Sequence, residues 1–314
     1  MVWLAAATHE DRGNPMNNHN HAALSLRALL RRGSIVAAPG AYDALSALLI
    51  ERAGFEAIYM TGNGQAASML GLPDVGLITL TEMAHRVRCT RAVTTVPLVA
   101  DADVGYGSLI MVRRAMRELE TAGASAVQFE DQASPKKCGH ELGRNVVPAE
   151  EMEGRLRAAA DGRLNPETLI IARTDARTTH GLEEAIRRGR AYARAGADVI
   201  FVESPESEAE LQEIASGIPV PTLANMVETG RTPYLSVQRL GELGFAVAIY
   251  PATAFLAATS AVRQAMAQLR RDGRLEDLSR LATLEEYHNV LHFSQYAALE
   301  STLGGSVMDP VNAG

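Results

Sequence analysis

The hydrophobic positions of the chain fall into eight short runs that are separated by longer stretches of mixed polarity. Each run is nearly unbroken in apolar character instead of alternating with polar residues. Such runs are typical of strands that are buried on both faces of a parallel sheet. They cover residues 34–39, 57–62, 96–103, 126–131, 168–175, 198–204, 220–226 and 246–251.

The stretches between these runs predict helices. After the first run, Leu45, Leu48 and Leu49 recur at the i, i+3, i+4 spacing of one helix face, and Gly54 follows as the residue that ends the helix. The same order of helix, glycine turn and strand recurs at Gly123 and Gly196. Eight such units predict an α/β fold, a (β/α)8 TIM barrel. An open, doubly wound sheet is the alternative, but the chain lacks a glycine-rich phosphate fingerprint.

The predicted organisation is a single barrel domain with C-terminal helices over residues 25–304, between flexible tails at 1–24 and 305–314. Residues 254–304 hold three further helical stretches, more than one closing helix needs. We expect these helices to be exchanged with a neighbouring subunit. The alternative is a helical cap on the same barrel.

Composition narrows the classes of function. The 314 residues are 47% hydrophobic and 21% charged, as in ordinary globular proteins. A net charge of −7 without a long basic run argues against nucleic acid or an anionic membrane as partner. Cys89 and Cys138, the two cysteines, lack metal or redox spacing, so we expect no disulfide framework and a cytoplasmic location. Cys89, within an amphipathic stretch, is expected in the core.

Polar side chains collect where the predicted strands end. Because the carboxyl ends of barrel strands form the active face, these side chains are candidates for a common site. They are Tyr42, Thr61, Gly62, Asn63, Asp101, Asp103, Glu130, Arg173, Glu203 and Asn225.

The acids Asp101 and Asp103 form the densest acidic point. At spacing i, i+2 their side chains face the same way in an extended strand, and like charges so close repel unless a cation lies between them. Oxygen ligands without a nearby His or Cys pair favour Mg²⁺, with Mn²⁺ as a substitute, and Glu130 on the next strand can join them. Helix capping is the alternative. Asp131 and Asp175 are expected in caps or salt bridges.

Arg173 ends a predicted buried strand and carries a planar, permanently charged guanidinium. Such a group suits bidentate binding of a substrate carboxylate. A structural ion pair with Glu203 or Asp175 is the alternative.

Cys138 lies in a segment of about 16 residues without hydrophobic periodicity, between the fourth predicted strand and the next helix. Lys136, Lys137 and His140 favour its thiolate, and Gly139 allows the backbone to approach a ligand. We therefore expect Cys138 to act as a general acid or base. A small buried hydrophobic residue is the alternative.

Taken together, these motifs resemble the isocitrate lyase/phosphoenolpyruvate mutase superfamily over residues from about 25 to about 300. In chain order they are "PGAYDALSA", "GLPDVGL", "DADVGYG", "EDQ", "KKCGH", "ARTDA", "NMVETGRTP" and "LATLEEY". Within the superfamily, the chain resembles the 2,3-dimethylmalate lyases and petal death proteins most, and the methylisocitrate lyases somewhat less.

The resemblance implies a Mg²⁺-dependent homotetramer that handles α-oxo or 2-hydroxy carboxylates through an enolate-like state. Asp101 is implied to touch the metal directly, and Cys138 to deliver a proton to the departing carbanion. Tyr42, Glu203 and a metal-bound hydroxide remain open as the base. The residues implied to hold the metal's waters are Asp74, Asp103 and Glu130. Those implied at the substrate are Tyr42, Thr61, Gly62, Asn63, Gly139, His140, Arg173, Glu203 and Asn225.

The activity implied is that of a carbon–carbon lyase acting on a substituted malate, which yields an oxo acid such as pyruvate and a carboxylic acid. Methylisocitrate lyase and oxaloacetate hydrolase, which makes oxalate and acetate, are the alternatives, and a non-catalytic barrel that only binds is a remote one. Methylisocitrate lyases carry an arginine where this chain has Leu256, which favours a dicarboxylate with an apolar substituent. The "KKCGH" stretch argues against the phosphonate mutases, which have an asparagine-rich segment there, and against the oxaloacetate decarboxylases, which lack the cysteine.

Overall fold

The computed structural model describes residues 25–137, 139 and 143–304. The predicted tails, 1–24 and 305–314, lie outside the described residues, as do Cys138 and His140. The chain divides into two compact units, with the boundary after Ser260. The division into one domain and two tails stays a prediction.

The first unit contains eight parallel strands that close into a barrel in chain order, with β8 pairing β1 through Val36 and Val247. This confirms the predicted (β/α)8 TIM barrel. Several strands are shorter than the apolar runs, because the polar ends of the runs leave the ladder to form turns and caps. The strands are β1 Val36–Ala41, β2 Ile58–Met60, β3 Leu98–Asp101, β4 Ala126–Glu130, β5 Leu169–Thr174, β6 Val199–Val202, β7 Thr222–Asn225 and β8 Val247–Tyr250.

Helices follow the strands as predicted. Gly54, Gly123 and Gly196 have φ of 89°, 108° and 112°, the left-handed conformation that lets a helix end and turn into the next strand. The helices are α1 Leu26–Leu30, α2 Ala44–Arg52, α3 Gly62–Leu70, α4 Leu80–Val93, α5 Leu109–Thr121, α6 Ala149–Gly162, α7 Ala176–His180, α8 Leu182–Arg194, α9 Glu208–Gly217, α10 Val237–Glu242 and α11 Thr253–Asp272.

The barrel core consists of aliphatic side chains from the strands. Leu26 and Leu29 of α1 belong to the same buried cluster as Val36 and Val247, which begin their strands. Helix α1 therefore covers the amino-terminal end of the barrel. The opposite end, where the strands finish, carries the polar residues.

The leucine face of α2 points away from the barrel, and one prediction of a core residue, Cys89, is wrong. On α2, Leu45 and Leu49 are 38% and 49% exposed, whereas Ala47 and Ile50 face the barrel. Small side chains allow the helix to lie close to the sheet, so the leucines point outward. Cys89 is also exposed on α4, instead of lying in the core.

The second unit, described for residues 261–304, contains the end of α11, a 3-10 helix at Leu278–Arg280, α12 Leu284–Val290 and α13 Phe293–Thr302. The three extra helical stretches predicted from the sequence are therefore present. Many of their apolar side chains are exposed: Val262, Met266, Leu269, Leu278, Leu281, Leu284, Tyr287, Phe293, Tyr296 and Leu303. None of the helices in the described ranges has the length and apolar character needed to cross a membrane.

Candidate active site

The carboxyl ends of the strands surround a cavity of about 220 Å³. It brings together most of the residues that the sequence predicted at the substrate and two that it predicted at the metal, Asp74 and Asp101. Those that line it are Thr61, Asn63, Asp74, Asp101, Gly139, Arg173, Glu203 and Asn225. Tyr42 is not among the residues that line the cavity. Its backbone carbonyl accepts hydrogen bonds from Arg86 and Ser68.

Asp101, the last residue of β3, is fixed by donors from several elements. Its Oδ2 accepts from the Tyr59 hydroxyl at 3.4 Å and from the Gly62 N–H at 3.3 Å, at the amino end of α3. Its Oδ1 accepts from Gln128 Nε2 at 3.3 Å and from the Asp103 N–H at 3.2 Å. Burial, and then the charge of Asp101, raise the pKa of Tyr59 well above its usual value, so the phenol stays a donor.

Lys136 brings a positive charge into the acidic cluster. Its Nζ lies 2.5 Å from Asp74 and 2.6 Å from Asp103, and the residue is only 5% exposed. Burial opposes its charge, but the carboxylates of Asp103, Glu130 and Asp74 outweigh burial and raise the Lys136 pKa. The ammonium that was expected to favour the Cys138 thiolate is thus paired with acids.

The acidic cluster still lacks positive charge. With all three ionised, Asp74, Asp101 and Asp103 share one ammonium, that of Lys136, which leaves two negative charges, the complement of one divalent cation. Burial raises the pKa of Asp103 to about 7, Lys136 opposes that rise, and the charges of Asp101 and Asp74 add to it. Burial also raises the pKa of Glu130 well above its usual value, and its buried Oε1 has no hydrogen-bond partner among the residues that the structure describes.

These observations fit a hard divalent cation, because the donors are all oxygens and one buried oxygen is unsatisfied. Within the described residues, no three His, Cys, Asp or Glu side chains are grouped so that they could hold a metal ion directly. Mg²⁺ usually keeps several of its waters, so wider spacing of the acids is compatible with it. Direct contact through Asp101, with waters held by Asp74, Asp103 and Glu130, stays a prediction.

Arg173 lies on β5 between three carboxylates. Its guanidinium is 3.1 Å from Glu130, 2.9 Å from Asp175 and 3.6 Å from Glu203, and it stacks 5.4 Å from the centre of the Phe201 ring. Both ion pairs that the sequence left open are therefore formed. The same guanidinium lines the cavity, so the carboxylates hold it where a substrate carboxylate could reach it.

Glu203 is oriented by its neighbours. Its Oε1 accepts from the Ser204 N–H at 2.7 Å, and its Oε2 accepts from Asn225 Nδ2 at 3.1 Å. Asn225 Oδ1 is buried and has no hydrogen-bond partner among the described residues, so it is available as an acceptor to a molecule in the cavity.

The backbone at Gly139 closes in on this group. A Cβ placed on Gly139 would lie 2.6 Å from Arg173 Nη2 and 2.7 Å from Glu203 Oε2. Only a glycine fits without displacement of one of these groups. The predicted role of Gly139, close approach of the backbone, is consistent with this contact.

Charged and polar side chains outside the cavity hold Asp131 and Asp175 in place. Asp131 accepts from Thr174, Tyr192 and Arg188, and Asp175 pairs with the buried Arg144 as well as with Arg173. The prediction that Asp131 and Asp175 form salt bridges is confirmed. Sequence reasoning missed Arg144, the partner of Asp175, and Tyr192, the partner of Asp131. It also missed Tyr59, the partner of Asp101, which was visible only as a polar-tipped residue in an aliphatic run.

Much of the remaining wall of the cavity is apolar. It is formed by residues that follow β7 and β8, together with the side chain of Ile249. The cavity therefore has one charged end and one apolar wall. The apolar members are Val227, Ile249, Pro251, Ala252, Phe255 and Leu256.

Comparison with known proteins agrees with this architecture. The 2,3-dimethylmalate lyase of Eubacterium barkeri is 47% identical over 281 residues, which covers 89% of this chain and 97% of that protein. The 2-methylisocitrate lyase of Aeropyrum pernix is 43% identical, covering 87% of this chain and 88% of that protein.

Solved structures of related enzymes have the same fold. Oxaloacetate acetylhydrolase in complex with 3,3-difluorooxalacetate superposes with a TM-score of 0.87 and 33% identity, covering 91% of this chain and 98% of that one. Phosphonopyruvate hydrolase in complex with oxalate and Mg²⁺ superposes with a TM-score of 0.79 and 32% identity, covering 88% and 96%. Like its lyase relatives, the chain is a carbon–carbon lyase. The profile of the phosphoenolpyruvate phosphomutase family matches residues 26–270, and the chain therefore belongs to this family and to the phosphoenolpyruvate mutase/isocitrate lyase superfamily.

Proposed function

We propose that this enzyme cleaves a 2-hydroxy dicarboxylate of the substituted-malate type, such as 2,3-dimethylmalate, into pyruvate and a carboxylic acid. The observation that carries the proposal is the cavity itself. Its charged end, with Arg173 and Asp101, suits the carboxylates and the hydroxyl of such a substrate. Its apolar wall, which includes Leu256, suits a methyl substituent.

The carboxylate next to the reacting carbon is bound by Arg173 and by the amino end of α3. Thr61 caps this helix, and Asn63 in its first turn lines the cavity. Helix amino ends and guanidinium groups both favour anions. Bound there, the substrate presents its hydroxyl and its methyl-bearing carbon to the rest of the cavity.

Mg²⁺, when bound, supplies polarisation of the substrate hydroxyl and stabilises the negative charge that develops on cleavage. The residues that would hold it are Asp74, Asp101, Asp103 and Glu130, and Mn²⁺ would substitute. The two uncompensated charges of the acidic cluster support this assignment.

Glu203 takes the proton from the 2-hydroxyl in our proposal. Its carboxylate lines the cavity and is oriented by Asn225 and Ser204, whereas Tyr42 does not line the cavity. The hydroxyl oxygen then forms the new carbonyl, and the bond between C2 and C3 breaks. Its electron pair moves to C3 and gives an enolate of the leaving carboxylic acid, which needs a proton.

Cys138 delivers that proton to C3. The thiol lies outside the described residues, and its role stays a prediction. Support comes from the neighbouring Gly139, which lines the cavity in contact distance of Arg173 and Glu203. With 2,3-dimethylmalate the products are pyruvate and propionate, and one proton is transferred from the hydroxyl and one to carbon.

Two other activities remain as alternatives, methylisocitrate cleavage and oxaloacetate hydrolysis. A methylisocitrate lyase must bind a third carboxylate. Among the described residues that line the cavity, Arg173 is the only basic one, and Leu256 stands where a further cation would be needed. The structural likeness to oxaloacetate acetylhydrolase keeps the hydrolase as the second candidate.

A panel of four substrates distinguishes these activities. Purified enzyme is assayed with dimethylmalate, methylisocitrate, isocitrate and oxaloacetate in Mg²⁺, and pyruvate, glyoxylate and oxalate are quantified. We expect the largest kcat/KM for dimethylmalate. We also expect Leu256→Arg to lower that value and raise the value for methylisocitrate. Oxalate release as the dominant activity would show a hydrolase instead.

We also propose that the enzyme is a homotetramer in which C-terminal helices pack against neighbouring subunits. The exposed apolar side chains of the second unit support this, since such residues usually mark an interface when they are contiguous. Light scattering should give a mass near four chains, and Leu284→Glu should reduce it. A wild-type protein that is monomeric and active would contradict the assignment.

A further inference from the structure

Ser204 follows the cavity residue Glu203 directly and has an unusual backbone. Its φ is 59°, in the left-handed region that residues other than glycine rarely adopt, and it is fully buried. In this conformation its N–H donates to the carboxylate of the preceding residue, Glu203, at 2.7 Å. Strain of this kind persists only where the surroundings impose it, and it is concentrated at functional sites.

The Ser204 hydroxyl connects its neighbour Glu203 with Gly139 and Arg144, which lie in the segment between β4 and α6. Its Oγ lies 3.2 Å from the Gly139 carbonyl oxygen and 3.2 Å from Glu203 Oε1, and it accepts from Arg144 Nη2 at 3.3 Å. Arg144 is itself held by Asp175. One hydroxyl proton is therefore shared between a carboxylate and a backbone carbonyl, with a guanidinium behind it.

The distance between the Gly139 backbone and the Glu203 carboxylate can become little shorter without a steric clash. Gly139 is buried, lines the cavity, and has no room for even a Cβ on the side of Arg173 and Glu203. A carbonyl that loses its donor shifts towards another one, because an unsatisfied buried acceptor is costly. A shift of Gly139 would move the cavity wall against Glu203 or away from it.

We propose that Ser204 is a positioning residue, whose hydroxyl sets the placement of the Gly139 backbone relative to the Glu203 carboxylate. The proposal rests on the proposed function only for its effect on turnover. The proposed role of Ser204 requires its hydroxyl. Simple support of the turn between β6 and α9 would require only its backbone conformation.

The test uses Ser204→Gly in the full-length enzyme. Glycine adopts a φ of 59° without strain, so the variant removes the hydroxyl and keeps the turn. The matched control is Thr94→Ala, which removes another buried hydroxyl that donates to a backbone carbonyl, that of Thr90 at 2.8 Å. Thr94 lies before β3, at the opposite end of the barrel.

Hydrogen–deuterium exchange of the peptide spanning residues 133–147 is measured without substrate. We expect faster exchange in Ser204→Gly and wild-type exchange in Thr94→Ala. With dimethylmalate, we expect kcat of Ser204→Gly to fall about tenfold to a hundredfold with KM within about twofold, since small misplacements of a reacting group act on the chemical step.

Ser204→Ala separates the hydroxyl from the backbone. It should reproduce both effects, because it lacks the hydroxyl as well. Effects seen in Ser204→Ala but absent from Ser204→Gly would show that only the strained backbone matters and would overturn the proposal, as would unchanged exchange in both variants. Exchange needs no turnover, so a wild-type enzyme inactive on malates would refute the proposed function while the exchange result still decides the role of Ser204.

Discussion

Replacement of Gly139 by alanine tests the geometry of the cavity with a single methyl group. Gly139 is not in a positive-φ conformation, so the alanine adds bulk without backbone strain. The new Cβ would lie 2.6 Å from Arg173 Nη2 and 2.7 Å from Glu203 Oε2, and ordinary contacts begin near 3.4 Å. The new methyl group and the Arg173 guanidinium would therefore have to separate by about 0.8 Å.

Arg173 has little freedom to move by that amount, because it is buried and paired with Glu130 and Asp175. A misplacement of about 1 Å can reduce the rate about a hundredfold, so we expect kcat/KM of Gly139→Ala to fall by about that factor. Overpacking of this kind also costs about 1–3 kcal/mol of stability.

The assay follows pyruvate release from 2,3-dimethylmalate, coupled to NADH oxidation by lactate dehydrogenase. The matched control is Gly154→Ala on α6, where the nearest atoms to a new Cβ are 3.7 Å away. This variant should keep wild-type kcat/KM and gain about 0.5–1 kcal/mol of stability from helix propensity. A Gly139→Ala enzyme with wild-type kcat/KM would refute the close approach of Gly139 to Arg173 and Glu203.

Three further predictions follow from the acidic cluster and the thiol. Chelation should abolish turnover, and Asp101→Ala should not recover in added Mg²⁺; undiminished turnover in EDTA would exclude the metal. Asp103, with its pKa raised to about 7, keeps a proton in the folded state that the unfolded state releases. In chelator, the melting temperature should therefore fall as the pH rises from about 4 to about 7, the interval between the unfolded and folded pKa values of Asp103, and Asp103→Asn should flatten this dependence; equal slopes would contradict it. Cys138→Ser should lower kcat by about 10²–10⁴ with little change in KM, because a serine hydroxyl is a much weaker acid; near wild-type kcat would assign the proton to another group.

The barrel was predictable because strands buried on both faces need unbroken apolar runs, and each of the eight runs overlaps an observed strand. Helical periodicity shows that Leu45 and Leu49 share a face of α2, but it does not show whether that face meets the barrel or the outside. The prediction that Cys89 lies in the core is wrong, because a cysteine within a helical run carries no signal of which helix face it occupies.

The members of the site were predictable from their position at strand ends, but their pairings were not. Lys136 reaches Asp74 and Asp103, which lie 62 and 33 positions earlier in the chain, so no local pattern reveals the contact. Ser204 has no local signal in its residue type. Its role depends on a backbone conformation and a hydrogen bond to Gly139, 65 positions away.

The central claim is that the enzyme breaks the C2–C3 bond of a substituted malate and protonates an enolate. The most direct measurement is the turnover of 2,3-dimethylmalate by purified enzyme with Mg²⁺ in D₂O, with both products quantified by NMR. We expect pyruvate and propionate in equal amounts, with one deuterium at C2 of each propionate during the first turnovers. Absence of pyruvate, or propionate without deuterium at C2, would contradict the account.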